Sequence, residues 1–160
     1  MSSAAQHHPL GQPSAGAADG SLSASFPAVA ESLASIRNAA ASFALQGDAP
    51  PDTVDAIRLV CSEAAANVVE HAYINSPGEI HLRAVRNSEA VWIVVADDGQ
   101  GLVPRPDKRS AGVGFGWMAT FSDAMTLEPA FGGGLEMVFR FRLADGPQSE
   151  SAVHSASGVR

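Results

Sequence analysis

A single cysteine, Cys61, leaves the chain without any internal disulfide. Basic residues are also scarce: ten lysines and arginines stand against seventeen aspartates and glutamates, for a net charge of −7 and a pI near 5.0. There is no basic patch and no interleaving of aromatic and basic residues, which argues against nucleic acid as a partner. The longest apolar run, Val91 to Ala96, is far too short to cross a bilayer. The N-terminus has no basic region leading into an apolar run, so no secretory signal is expected and the cytoplasm is the expected compartment. No Walker A sequence is present, which excludes a P-loop. No Ser/His/Asp or Cys/His spacing suggests nucleophilic catalysis, and the histidines form no metal-ligand pattern. No internal repeat is visible.

What is present suits one globular domain. Hydrophobic residues make up 46% and charged residues 17% of 160 positions, enough to build a core. Residues 1–20, rich in Ser, Ala, Gly, Gln and Pro without periodicity, read as a disordered leader. Residues 146–160 read as a disordered tail, leaving 21–145 as the folded domain. Leu22 to Phe26 alternates apolar and small polar residues, as a strand does. Pro27 is expected to open a helix reaching about Gln46, stopped by Gly47. Pro50-Pro51-Asp52-Thr53 starts a second helix. Ile80–Arg86 and Ala90–Ala96 are expected strands joined as a hairpin through Asn87-Ser88. A loop from Gly99 to Gly112 leads to a short helix, Gly114–Phe121. Strands at Ala124–Leu127 and Leu135–Leu143 flank a turn at Phe131-Gly132-Gly133-Gly134. Helices gathered on one side of a mixed, mostly antiparallel sheet give an α+β two-layer sandwich.

The second helix carries the most informative pattern. Val54, Ile57, Cys61, Ala64 and Val68 fall on one face, so Cys61 reads as a small core residue. Glu63, Asn67 and His71, spaced four apart, form a polar stripe on the flank of that face. Such groups line a cleft wall, or else they are simply a solvated helix edge. Two glycine-containing runs follow. Asp97-Asp98-Gly99-Gln100-Gly101 ends a strand that is apolar on both faces and therefore central. It could equally be an ordinary turn. Gly112-Val113-Gly114 opens the short helix, where free backbone N–H groups attract phosphate. Arg105, Lys108 and Arg109 precede it and could neutralise phosphates, or be a solvated loop.

Together these runs resemble the three boxes of the GHKL (Bergerat-fold) ATPase and kinase superfamily, in the form found in anti-sigma-factor serine/threonine kinases. The pattern Glu-Ala-x-x-Asn-x-x-x-His-Ala/Gly-Tyr is met by Glu63, Ala64, Asn67, His71, Ala72 and Tyr73. The resemblance implies that Asn67 ligates Mg²⁺ held by ATP phosphates, and that Glu63 is the general base. It implies that Asp97 binds the adenine amino group, with Gly99 and Gly101 letting the backbone close on the nucleotide. It also places His71, Arg109, Gly112 and Gly114 among the nucleotide-binding residues. The likeness runs from about residue 22 to residue 143. It departs from the pattern at Leu135, where relatives often carry threonine, and at Gly116-Trp117.

Three functions compete. The first is an anti-sigma factor with serine/threonine kinase activity, which binds Mg²⁺-ATP, sequesters a sigma factor and phosphorylates an anti-sigma-factor antagonist of the STAS type. The second is an ATP-binding module that sequesters a partner without phosphoryl transfer. The third, a histidine-kinase catalytic fragment, lacks a phosphoacceptor histidine on a suitable second helix. The resemblance further implies a homodimer formed through the first helix.

Overall fold

In the computed structural model, which describes residues 9–14, 17–101 and 111–143, five strands form one sheet. The strands are β1 (Gly20–Pro27), β2 (Glu79–Arg86), β3 (Ala90–Asp97), β4 (Ala124–Pro129) and β5 (Leu135–Arg142). Their order is β1-β2-β3-β5-β4. Every pairing is antiparallel, so the mixed sheet expected from sequence is antiparallel throughout. Three helices pack on it: α1 (Ser32–Leu45), α2 (Pro51–His71) and α3 (Ala111–Phe121).

The helical face of the sheet is set by strand alternation. Ile80, Leu82 and Ala84 of β2, Val91, Ile93 and Val95 of β3, and Met137, Phe139 and Phe141 of β5 all point into one core. Against them α1 presents Ile36, Ala40, Ala41 and Ala44, and α2 presents Val54, Ile57, Cys61, Ala64 and Val68. The apolar face predicted for α2 is therefore the buried one. Pro51 sits in its first turn, where a missing N–H costs nothing, and Asp52 beside it favours the positive end of the helix. Burial pushes the Cys61 thiol up to about 12, which makes it an inert core residue.

β3 is buried along its whole length. On its outer side Trp92 packs with Val85 and Ala90 against Leu10 and Ala18, and the Trp92 indole N–H donates to the Leu10 carbonyl at 3.0 Å. Leu10 lies in a short turn, Pro9–Gly11, within the segment expected as an unstructured leader. Further along, Arg83 of β2 and Glu136 of β5 reach over β3 to pair with each other. Val94 and Ala96 beneath them are 1% and 6% exposed, which is how a two-layer fold keeps a doubly buried strand.

Two boundaries differ most from expectation. Pro27 closes β1 rather than opening a helix. It pairs with Glu79, and the next N–H, that of Ala28, donates to the Gly78 carbonyl. Strand pairing thus continues past the proline, which costs nothing on an edge strand. α3 begins at Ala111, three residues before Gly114. Glycine at 112, 114 and 116 is a poor local helix signal. Packing overrides it: Met118 of α3 is 1% exposed and joins the main core.

Candidate functional site

Glu63, Asn67 and His71 are all half-buried, as expected for a stripe on the flank of an apolar face. α3 runs past this stripe. A Cβ built on Gly114 would stand 3.5 Å from Glu63 Oε2 and 3.9 Å from both Asn67 side-chain atoms, Oδ1 and Nδ2. Glycine there brings the α3 backbone close to a carboxylate and an amide, with room for no more than a methyl group between them. Asn67 Nδ2 is buried without a hydrogen-bond partner among the described residues. An orphaned buried donor is costly unless something absent from the free chain accepts from it. A phosphate oxygen fits that need, while the amide oxygen offers the hard ligand that Mg²⁺ prefers. His71 lies at the far end of the stripe, and its imidazole stands 3.5 Å from the exposed Glu70 carboxylate.

Asp97 forms the second half of the site. It ends β3 and is 3% exposed. Burial raises its carboxyl above the ordinary value. The N–H groups of Gly99, which hydrogen-bonds to it, and of Leu135 nearby act the other way, Asp98 raises it further, and His81 lowers it. The Gly99 N–H donates to Asp97 Oδ1 at 2.8 Å. Leu135, one of the two departures from the family pattern, has its side chain buried in the core while its backbone N–H favours the ionised form of Asp97.

Two glycine turns close around this carboxylate. At Gly99, an added Cβ would overlap the Ala72 carbonyl at the end of α2, and the Gln100 N–H donates to that same oxygen at 3.0 Å. The loop after β3 is thereby stitched to the end of the helix that bears Asn67. Gly101 and Gly134 have φ of +69° and +83°, a region that favours glycine. A Cβ on Gly101 would come within 3.2 Å of the Gly134 carbonyl oxygen.

The structure thus brings Glu63, Asn67 and Gly114 together in one cluster and Asp97, Gly99 and Gly101 in another, with α2 joining the two. Gly112 lies in the first turn of α3. Arg105, Lys108 and Arg109 lie outside the described residues. Sequence reasoning gave no role to Gly134, although its place in a triple-glycine turn was a signal. It also missed the Ala72 carbonyl and the Leu135 N–H, because backbone contacts leave no residue-type signature.

Residues 26–139 match the family profile of the histidine kinase-like ATPase domain. The anti-sigma F factor of Clostridium beijerinckii is 31% identical over 134 residues, covering 76% of this chain and 94% of the relative. That of Clostridium acetobutylicum is 29% identical over 130 residues, covering 74% and 91%. That of Caldanaerobacter subterraneus is 33% identical over 109 residues, covering 61% and 76%. The fold and the relatives agree.

Proposed function

The chain belongs to the histidine kinase-like ATPase family, alongside the anti-sigma F factors, and from that premise we propose that it is an Mg²⁺-ATP-dependent serine/threonine kinase that also sequesters a sigma factor. One observation carries the kinase reading: Glu63 and Asn67, one helical turn apart, stand beside the glycine backbone of α3 at Gly114, and Asn67 Nδ2 is buried without a partner among the described residues. When bound, Mg²⁺-ATP supplies the transferable phosphoryl group and the charge neutralisation that phosphoryl transfer requires.

The chain's own residues supply position and proton acceptance. Asn67 would hold the cation through Oδ1 and a phosphate oxygen through Nδ2. Glu63, a turn away, would accept the proton of a serine hydroxyl on the incoming antagonist. Asp97 would accept from the amino group of adenine, satisfying a carboxylate that burial makes costly to ionise. The backbone N–H groups at the start of α3 would face the phosphates. The phosphoryl acceptor would be a STAS-type antagonist, and the sequestered partner a sigma factor of the kind the relatives are named for. Among the described residues no helix is long and apolar enough to cross a membrane; by analogy with the anti-sigma F factors, the site of action would be the cytoplasm.

The test is to incubate the chain with Mg²⁺, γ-labelled ATP and STAS-type antagonists, and to measure sigma-factor binding in parallel. Label on an antagonist serine is the expected outcome. Sigma binding without label on any antagonist would support instead a module that sequesters its partner without phosphoryl transfer.

A further inference from the structure

Tyr73 follows the C-terminal end of α2, and its hydroxyl makes two hydrogen bonds. It donates to the Glu79 carbonyl at 2.7 Å and accepts from the Asp98 N–H at 3.0 Å. Its ring lies so close to Gly78 that any Cβ there would overlap it. One phenol therefore ties together the end of α2, the start of β2 and the first residue after β3.

The tie to Asp98 bears on Asp97. The Asp98 N–H and the Asp97 carbonyl belong to the same peptide group. Tyr73 holds its N–H end, and Gly134 is packed against its carbonyl end. With that plane held at both ends, ψ of Asp97 and the direction of its Cα–Cβ bond are restrained, and the Gly99 N–H, bonded to Oδ1, then holds the carboxylate itself. Asp98 is restrained a second time. Its carboxylate accepts from His81 Nε2 at 2.6 Å, and His81 Nδ1 lies 2.9 Å from Ser25 Oγ. A carboxylate only accepts, so Nε2 carries a proton, and in the neutral ring Nδ1 is free to accept from the serine. This row of Ser25, His81 and Asp98 is assembled by strand register, with Ser25 directly opposite His81, and no spacing in the sequence announces it.

We propose that Tyr73 is a positioning residue for base recognition: by fixing the Asp97–Asp98 peptide plane it aims the Asp97 carboxylate at the exocyclic amine of a 6-amino purine. It thereby sets the preference for adenine over 6-oxo purines. The inference rests on the reading of Asp97 as the adenine-binding residue. Tyr73 itself touches no ligand in this account.

The experiment measures ADP and IDP binding by calorimetry for the full chain and for three variants, Tyr73→Phe, Gly78→Ala and Asp97→Asn. The two bases differ at the position where Asp97 would accept. Losing the aim should cut the ADP-over-IDP preference by about fivefold or more. Tyr73→Phe should show this loss with IDP affinity unchanged. Gly78→Ala, which pushes the intact phenol aside, should show the same shift. A purely structural Tyr73 would weaken both nucleotides equally, and that result overturns the proposal. An unchanged preference in Tyr73→Phe does so as well. If Asp97→Asn leaves the preference intact, or wild type has none, the reading of Asp97 falls and takes the proposal with it. If Asp97→Asn abolishes the preference while both other variants keep it, only the role of Tyr73 falls. Should Tyr73→Phe fail to fold, Gly78→Ala decides; if neither folds, Tyr73 is a residue of the fold and the proposal is wrong.

Discussion

Gly134 lies directly against Asp97: a Cβ on the glycine would overlap the aspartate's carbonyl oxygen and come within 2.8 Å of Oδ1. The turn between β4 and β5 is thus the lid of the buried carboxylate. Gly134→Ala should cost about 1–3 kcal/mol from the left-handed backbone alone, with the overlap adding to it. Gly116 is the contrasting position. It sits in α3 with nothing within 4 Å of an added Cβ among the described residues, so Gly116→Ala should stabilise the protein by about 0.5–1 kcal/mol. Urea titrations of the two variants check both signs; equal effects would mean that neither environment is as described.

The buried carboxylate predicts a pH dependence. Burial raises Asp97 from its ordinary 3.8, so the folded chain holds that proton more tightly than the unfolded one. The resulting stabilisation is complete below the unfolded value and fades as pH rises through the folded one. Asp97→Asn cannot titrate. The stability of nucleotide-free wild type relative to Asp97→Asn should therefore fall as pH rises above about 3.8. Denaturant unfolding across that range checks it, and a flat difference would mean that the carboxyl is not held in its buried form.

Asn67→Ala should separate binding from folding. The side chain is half-buried at the cleft wall and makes no hydrogen bond through Nδ2 within the described protein, so the helix loses little. Hydrogen bonds to charged groups contribute about 1.5–3 kcal/mol, so Mg²⁺-ATP affinity should drop by roughly one to two orders of magnitude. Calorimetry with and without Mg²⁺ reads the loss, and circular dichroism checks the fold. An unfolded variant would make Asn67 a structural residue.

Glu63→Ala should do the reverse. A general base contributes about 10²- to 10⁴-fold in rate, while nucleotide affinity comes from contacts that Glu63 does not make in the proposed complex. Antagonist phosphorylation should collapse while ATP and sigma-factor binding persist. Equal phosphorylation by wild type and variant would remove Glu63 from the mechanism.

Much of this arrangement was legible in the sequence because it is periodic. The α2 stripe follows from 3.6-residue spacing, and β3 declares itself by an unbroken apolar run. What was hidden depends on the backbone or on distant register. Pro27 resembles a helix opener until β2 is seen to pair with it. The glycines of α3 conceal where that helix begins: it was expected from Gly114 and starts at Ala111, held by packing against α2 and the core. Ser25, His81 and Asp98 belong to three separate elements, and only the pairing of β1 with β2 brings the first two side by side. The Arg105–Arg109 stretch, read as a phosphate-neutralising loop, lies outside the described residues.

The two tryptophans give the chain a built-in pair of optical probes. Trp92 is sealed against the sheet's outer face, 4% exposed, with its indole bonded to the Leu10 carbonyl. Trp117 is 54% exposed on α3, stacked on Phe121 at 5.7 Å between ring centroids. Their emission will differ in wavelength and in access to a soluble quencher. One indole reports whether the N-terminal segment stays seated behind the sheet. The other rides on the helix that faces Glu63 and Asn67, so the two ends of the molecule can be watched separately in one cuvette without attaching a dye.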